Sequence, residues 1–208
     1  MKCYIHYIKD YNESEVLADQ CLDSFKTYSG WEPILQEGFT PDTLVGHEKY
    51  RILEPSALRI LQRVPNKPNF SHKLSSIMNN IRLWNRVVEE NETMVFLEHD
   101  VVCVRDFEEI NFQDVCHLSP FSETAERYGG LYTLRGGIYH DSKVIGGTHS
   151  YMITPSGAKK MLNACSRYGL ECSDGMLNTF NVDIEYSTSN FFDWVSNTLN
   201  TSAGKHTL

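Results

Sequence analysis

Glu98, His99 and Asp100 are the residues of this chain best suited by type and spacing to do chemistry. They interrupt an apolar run, Met94-Val95-Phe96-Leu97, which resumes as Val101-Val102-Cys103-Val104. Short apolar runs of this kind read as buried strands. Side chains at i and i+2 of a strand share a face, so Glu98 and Asp100 are expected to point the same way from a strand tip. Two like charges that close repel unless a cation sits between them. A hard divalent ion that also takes phosphate oxygens is one physical solution. An exposed acidic turn between two strands is the plainer alternative, and the tripeptide leaves both open.

The elements that must position this tip follow from the pattern on either side of it. Residues 3–8 read as a first strand and residues 13–28 as a helix, with Ser14 a candidate cap, Val16, Leu17, Cys21 (or Gln20) and Phe25 near one face, and Gly30 beyond its end. Residues 33–36 read as a second strand. A β-α-β opening predicts a parallel sheet covered by helices, and ligands bind in the loops after the carboxyl ends of such strands. Here those loops begin near His6 and near Glu37.

Residues 41–70 are weakly patterned, with a short helix expected over 57–63. A strong helix follows over 72–90, where Leu74, Ile77, Met78, Ile81, Trp84 and Val88 form an apolar stripe. Lys73, Ser76 and Asn80 line one edge of that stripe at 100° per residue. That edge either looks into a cleft or forms a polar border satisfied by neighbouring backbone. Asn79 points away from Ile77.

After the acidic tip, residues 114–118 read as a strand. Residues 119–141 read as a long loop rich in Gly and Tyr, carrying Arg127 and Arg135. A loop of that length is functional or mobile. Gly146 and Gly147 precede a strand over 150–153. Thr154 then caps a helix with Pro155 at its first position, carrying Ala158, Met161, Leu162 and Cys165 on one face and ending at Gly169. Asp174, a strand over 182–187, the aromatics Phe191, Phe192 and Trp194, and a polar tail with Lys205 and His206 complete the chain.

Composition narrows the function classes. With 208 residues, 41% of them hydrophobic and 22% charged, the chain can bury a substantial core. A net charge of −8 argues against a broad grip on nucleic acid. No apolar run approaches the ~20 residues of a membrane span, and the first residues are too polar for a signal peptide. None of the six cysteines forms a C-x-x-C pair. Buried free thiols in a reducing, cytoplasmic setting are therefore expected, and a zinc site is not.

Three segments stand in a set order: residues 74–90 with Ile81-Arg82-Leu83-Trp84, residues 95–102 with Glu98-His99-Asp100, and residues 147–162 with Ser150-Tyr151-Met152-Ile153, Gly157-Ala158 and Met161-Leu162. The ordered set resembles glycosyltransferase family 25, the lipooligosaccharide-type glycosyltransferases, over roughly residues 1–175. Two positions depart from that family. Its Ser-His falls on Asn79-Asn80, and its Glu-Asp-Asp falls on Glu98-His99-Asp100, which keeps the outer carboxylates.

The resemblance implies an α/β chain forming a single GT-A-like nucleotide-sugar-binding domain over residues 1–208, with a mixed, mostly parallel sheet flanked by helices. Residues 1–118 are then the nucleotide-binding part and 119–208 the acceptor side and tail. It implies inverting, hexosyltransferase-type transfer from a nucleotide-sugar, such as a UDP-sugar, to a hydroxyl on a glycan, a protein or another acceptor, with Mn2+ or Mg2+. Asp174 falls where the family places an acid, and Asp183 is the second candidate for the carboxylate base.

On this resemblance the metal falls to Asp100, Glu98 and the late His206, whose imidazole favours Mn2+. The donor falls to His6, Tyr7, Lys73, Asn80, Glu98 and Lys205. Two other classes remain alongside it. A binding module that keeps the fold without activity is favoured by the changed middle residue His99. A metal-dependent phosphoesterase is disfavoured by the absence of clustered histidine and aspartate ligands elsewhere in the sequence.

Overall fold

A computed structural model describes residues 1–40, 43, 70–119, 131–133, 141–145, 148–170 and 173–195, with the side chains of 70–73, 131–133 and 145 left aside. The helix expected over 57–63, together with Arg127, Arg135, Gly146, Gly147, Lys205 and His206, lies outside the described residues.

The strands are β1 (Lys2–Tyr7), β2 (Glu32–Glu37), β3 (Met94–Glu98), β4 (Val101–Cys103), β5 (Val115–His117), β6 (Leu131–Thr133), β7 (Lys143–Ile145), β8 (Ser150–Ile153), β9 (Ile184–Tyr186) and β10 (Phe192–Trp194). The helices are α1 (Asn12–Ser24), α2 (Phe70–Glu90), α3 (Pro155–Tyr168) and the single turn α4 (Ser173–Met176). Six strands form one sheet in the order β2-β1-β3-β8-β5-β9. The pairs β1·β2, β1·β3 and β5·β9 are parallel, and β8 runs against both β3 and β5. The chain is thus an α/β fold with a mixed, mostly parallel sheet flanked by helices.

Strand alternation splits the core into two layers. Tyr4, Met94, Phe96, Val115, Tyr151 and Ile153 pack with Ile77, Ile81, Trp84, Ala158 and Met161 on the α2–α3 side. Cys3, Ile5, Val95, Leu97, Cys116 and Met152 pack with Ala18, Cys21 and Phe25 of the α1 region and with Phe191 and Phe192. Gly157 lets α3 seat on the start of β5. A Cβ there would come within 2.5 Å of the Asp114 carbonyl oxygen, a contact no side chain tolerates.

Several local expectations are corrected. Ser14 does not cap α1. Its Oγ is buried and accepts the Ile8 N–H at 2.8 Å, which folds the loop after β1 back onto the helix. Ala18, not Val16, completes the buried face of α1, because Ala18 shares the arc of Leu17 and Cys21 whereas Val16 is 39% exposed. The expected α1 ends at Ser24 and passes into a 3-10 turn, Phe25–Thr27. Asn79 lies off the buried stripe of Ile77 as expected, and its Oδ1 accepts the Phe39 N–H at 2.8 Å and so holds the chain leaving β2. Within the expected loop 119–141, β6 pairs antiparallel with β7. The Thr154 cap holds as expected, its hydroxyl accepting the Gly157 N–H at 3.1 Å.

Cys3, Cys21, Cys103, Cys116 and Cys165 are buried free thiols. Among the described residues no helix is long and apolar enough to cross a membrane.

Candidate functional site

Because β1, β3, β5 and β9 run the same way, their carboxyl ends meet at one edge of the sheet. Those ends carry His6, Glu98, His117 and Tyr186. His6 stands opposite Glu98 in the β1·β3 register, and His117 opposite both Tyr151 and Tyr186. β8 starts from this edge, so Thr148 and His149 enter it as well, and the Glu98 N–H donates to the His149 carbonyl at 2.9 Å.

The acids gather here. β3 stops at Glu98, and Asp100 sits in a turn before β4 rather than on a continued strand. The simple i, i+2 geometry is therefore replaced by a turn that still keeps the two carboxylates near each other. Burial pushes the Glu98 carboxyl well above the usual range, and the charges of Asp100 and Asp174 push it further. Asp100 is also raised by burial, with His99, its own backbone N–H and the Trp194 indole pulling the other way. Trp194 is thus close enough to act on Asp100, although neither Trp194 Nε1 nor Asp100 Oδ1 completes a hydrogen bond. Asp174, at the start of α4, accepts the Thr148 hydroxyl at 2.6 Å.

β10 seals the outer side of the tip. It pairs antiparallel with β4, and the Val195 N–H donates to the Asp100 carbonyl at 2.8 Å.

Asn80 is buried next to this edge. Its Oδ1 accepts the Tyr151 hydroxyl at 2.5 Å, and that hydroxyl accepts the Trp84 indole N–H at 3.0 Å. Asn80 Nδ2 donates back to the Ser76 carbonyl at 3.0 Å. Tyr151 stacks on Phe96, and Phe96 stacks on His6. Burial, with Arg82 and Arg86 nearby, brings His6 down to about 3, so it is neutral at physiological pH. Asn80 therefore faces inward, in a satisfied network reaching from the helix to β8.

Two of the expected residues stand apart from this cluster. Tyr7 alternates to the α1 side, opposite His6, and packs on the layer of Cys3 and Ile5. Asp183 precedes β9 at the other edge of the sheet, where Lys160 contacts both it and Asp114, and its N–H donates to Asp114 Oδ2 at 3.0 Å. Lys73 lies in the first turn of α2, at the carboxyl edge, with its side chain outside the described set.

His149, His117, Thr148 and Trp194 had not been expected in the site. The polar run Thr148-His149-Ser150-Tyr151 leading into a strand was the available signal. Among the described residues no three His, Cys, Asp or Glu side chains form a ready-made metal site.

No family model matches the chain, and no curated protein matches it. Its fold is similar to those of several solved glycosyltransferases. The galactosyltransferase LgtC in complex with donor and acceptor sugar analogs is 9% identical, with a TM-score of 0.46 over 90% of this chain and 73% of that one. The glycosyltransferase GlyE of Streptococcus pneumoniae TIGR4 is 8% identical, with a TM-score of 0.45 over 89% of this chain and 45% of that one. Mouse xyloside xylosyltransferase 1, in its apo form, is 8% identical, with a TM-score of 0.41 over 85% of this chain and 80% of that one. These are likenesses of fold alone.

Proposed function

We propose that this chain is a glycosyltransferase of the family 25 type, moving a sugar from a nucleotide-sugar, a UDP-sugar in the first instance, to a hydroxyl acceptor. One observation carries the proposal. Glu98, Asp100 and Asp174 lie at the carboxyl edge of the sheet, where the Thr148 hydroxyl holds Asp174 and the Glu98 N–H donates to the carbonyl of the next residue, His149, and the charges of the other two acids oppose ionisation of Glu98. Such crowding is unfavourable without a cation, and a sheet's carboxyl edge is where nucleotides bind.

The donor set fits Mn2+ or Mg2+. Asp100 Oδ1 is buried without a partner and Glu98 stands beside it. One or two carboxylates suffice for a hard ion that takes its remaining oxygens from substrate phosphate and water. Asp100 and Glu98 would hold it, and it would neutralise charge on the departing diphosphate. His206 and Lys205 are proposed for the same ion and diphosphate on their chemistry, an imidazole that suits Mn2+ and an ammonium that suits a diphosphate.

Asp174 is assigned as the base. It takes the proton of the acceptor hydroxyl as that oxygen bonds to the anomeric carbon and the bond from carbon to diphosphate breaks, which inverts the centre. Thr148 fixes its carboxylate for that step. Residues 1–118 supply the donor side, and 119–208 the acceptor side and the tail that bears Lys205 and His206. Free buried thiols support a reducing, cytoplasmic setting.

The test is binding of UDP with and without Mn2+, followed by calorimetry, for wild type and Asp100→Ala. Wild type should bind UDP more tightly with the metal, and the variant should lose that gain while keeping its fold. Equal metal-supported binding in a folded Asp100→Ala protein would place the site elsewhere.

A further inference from the structure

Asp174 sits on α4, a single turn from Ser173 to Met176. One turn of helix has little stability of its own, so the direction of the Asp174 carboxylate is set by what that turn is bonded to. Its far end is anchored by packing, with Met176 and the following Leu177 fully buried in the α2–α3 layer. The buried Asn178 amide adds to this, donating to the carbonyls of Gly175 at 2.7 Å and Met176 at 3.2 Å. Its near end is held by two side-chain bonds to different elements. Ser173 Oγ and Ser76 Oγ of α2 lie 3.2 Å apart, a hydrogen bond in which either oxygen can donate. Asp174 Oδ1 accepts the Thr148 hydroxyl at 2.6 Å.

Successive side chains of a helix point about 100° apart. The Thr148 bond alone leaves the near end of α4 able to rotate about its axis and carry the carboxylate with it. A second bond from the neighbouring residue, directed elsewhere, fixes that rotation. Ser76 can serve as a fixed point because it is held in turn. Its carbonyl accepts Asn80 Nδ2 at 3.0 Å, and Asn80 Oδ1 accepts the Tyr151 hydroxyl at 2.5 Å. Tyr151 lies on β8, three residues beyond Thr148, so the bonds close into a ring: β8 to Asn80, to Ser76, to Ser173 and Asp174, and through Thr148 back to β8. The position of a base matters at this scale. It must stand within about 2.6–3.2 Å of the proton it takes, and a displacement of about 1 Å costs up to roughly 10²-fold in rate.

We propose that Ser76 and Ser173 are positioning residues for Asp174, acting through its carboxylate and touching no substrate themselves. This role rests on Asp174 being the base of the sugar transfer proposed above, and the test keeps the two apart. Wild type, Ser76→Ala, Asp174→Asn and the double variant are compared in two measurements. One is Mn2+-supported UDP release from UDP-galactose, UDP-glucose and UDP-N-acetylglucosamine, with water as the acceptor. The other is UDP–Mn2+ binding by calorimetry.

Ser76→Ala should lower kcat about tenfold, less than a full 1 Å displacement of the base would cost. Donor KM and UDP–Mn2+ affinity should stay within about twofold of wild type, because the bond lost acts only on the chemical step. In the Asp174→Asn background the same substitution should change kcat by less than about twofold, since residues that act as one unit are not additive. A merely structural Ser76 would lower both backgrounds alike, and that outcome overturns the positioning role, as does wild-type kcat in Ser76→Ala. Should Ser76→Ala fail to fold, Ser173→Ala deletes the same bond from its other side and should give the same pattern. Loss of the fold in both would show the bond to be structural only and would overturn the role as well. No UDP release by wild type would overturn the sugar-transfer proposal instead, and full kcat in Asp174→Asn would overturn its base; each takes the positioning role with it.

Discussion

The Thr148 hydroxyl donates to Asp174 Oδ1 at 2.6 Å, which ties the residue just before β8 to the first turn of α4. This bond fixes a carboxylate at the same sheet edge as Glu98. If Asp174 is the base, its replacement should act on turnover and not on donor binding. Asp174→Asn should lower kcat by about 10²–10⁴-fold, the usual contribution of a positioned base, with UDP–Mn2+ affinity retained. Thr148→Val should lower kcat by a smaller factor and leave KM for the donor nearly unchanged. Steady-state kinetics against donor concentration, with circular dichroism as a control for folding, distinguish these outcomes.

Glu98 gives a prediction in pH. Burial, then Asp100 and Asp174, raise its folded-state carboxyl above the unfolded value. A group raised in this way contributes stability that is complete below the unfolded value and is lost as pH rises through the folded one. Metal-free protein should therefore lose melting temperature as pH rises above the ordinary carboxylate range, and Glu98→Gln should flatten that fall. Mn2+ requires the ionised carboxylate, so its binding should release protons within the same window. Calorimetry in two buffers of different ionisation enthalpy measures that release. A metal-free melting profile unaffected by Glu98→Gln would contradict the assignment.

The chain Trp84–Tyr151–Asn80 makes a stability prediction. Asn80→Ala strands the buried Tyr151 hydroxyl, and Tyr151→Phe strands both the Trp84 N–H and Asn80 Oδ1. Leaving a buried group unpaired costs about 1–3 kcal/mol, so each variant should lose about that much in urea unfolding. The double variant should lose less than the sum, because the two residues share one network. Strictly additive losses would show that the contacts are energetically independent. Any change in sugar preference on Asn80→Ala would then be read alongside this loss of stability.

The local parts of this fold were legible because their signals are local. The stripe of α2, the Thr154 cap and the β-α-β opening all follow from spacing within a few turns or strands. The Glu98 tip was legible because an apolar run ends on it. What depends on sheet order was not. Nothing near His149 says that β8 will insert between β3 and β5, yet that insertion brings His117, His149 and Trp194 together. Asp174 and Asp183 are near neighbours in sequence, but the chain crosses from one sheet edge to the other between α4 and β9, which separates them. Ser14 looked like a cap because its type suits one. Its partner turned out to be the Ile8 N–H, in a loop that sequence spacing does not place.

The last prediction concerns the tail. The Val195 N–H donates to the Asp100 carbonyl, and β10 is paired to β4, so the last described residue stands beside the acidic tip. His206 is the only histidine after His149. An imidazole added to two carboxylates would shift preference from Mg2+ towards Mn2+, because nitrogen donors favour the later metal, and Lys205 would bring the positive charge a diphosphate needs. Deleting residues 204–208 should therefore weaken Mn2+-supported turnover several-fold and narrow the advantage of Mn2+ over Mg2+. The melting temperature should change little, since a short polar segment buries little apolar surface. His206→Ala should reproduce the loss of Mn2+ preference, and Lys205→Ala should raise KM for the donor without altering metal preference. A truncated protein with wild-type turnover in both metals would show that the two carboxylates and the nucleotide hold the ion without the tail.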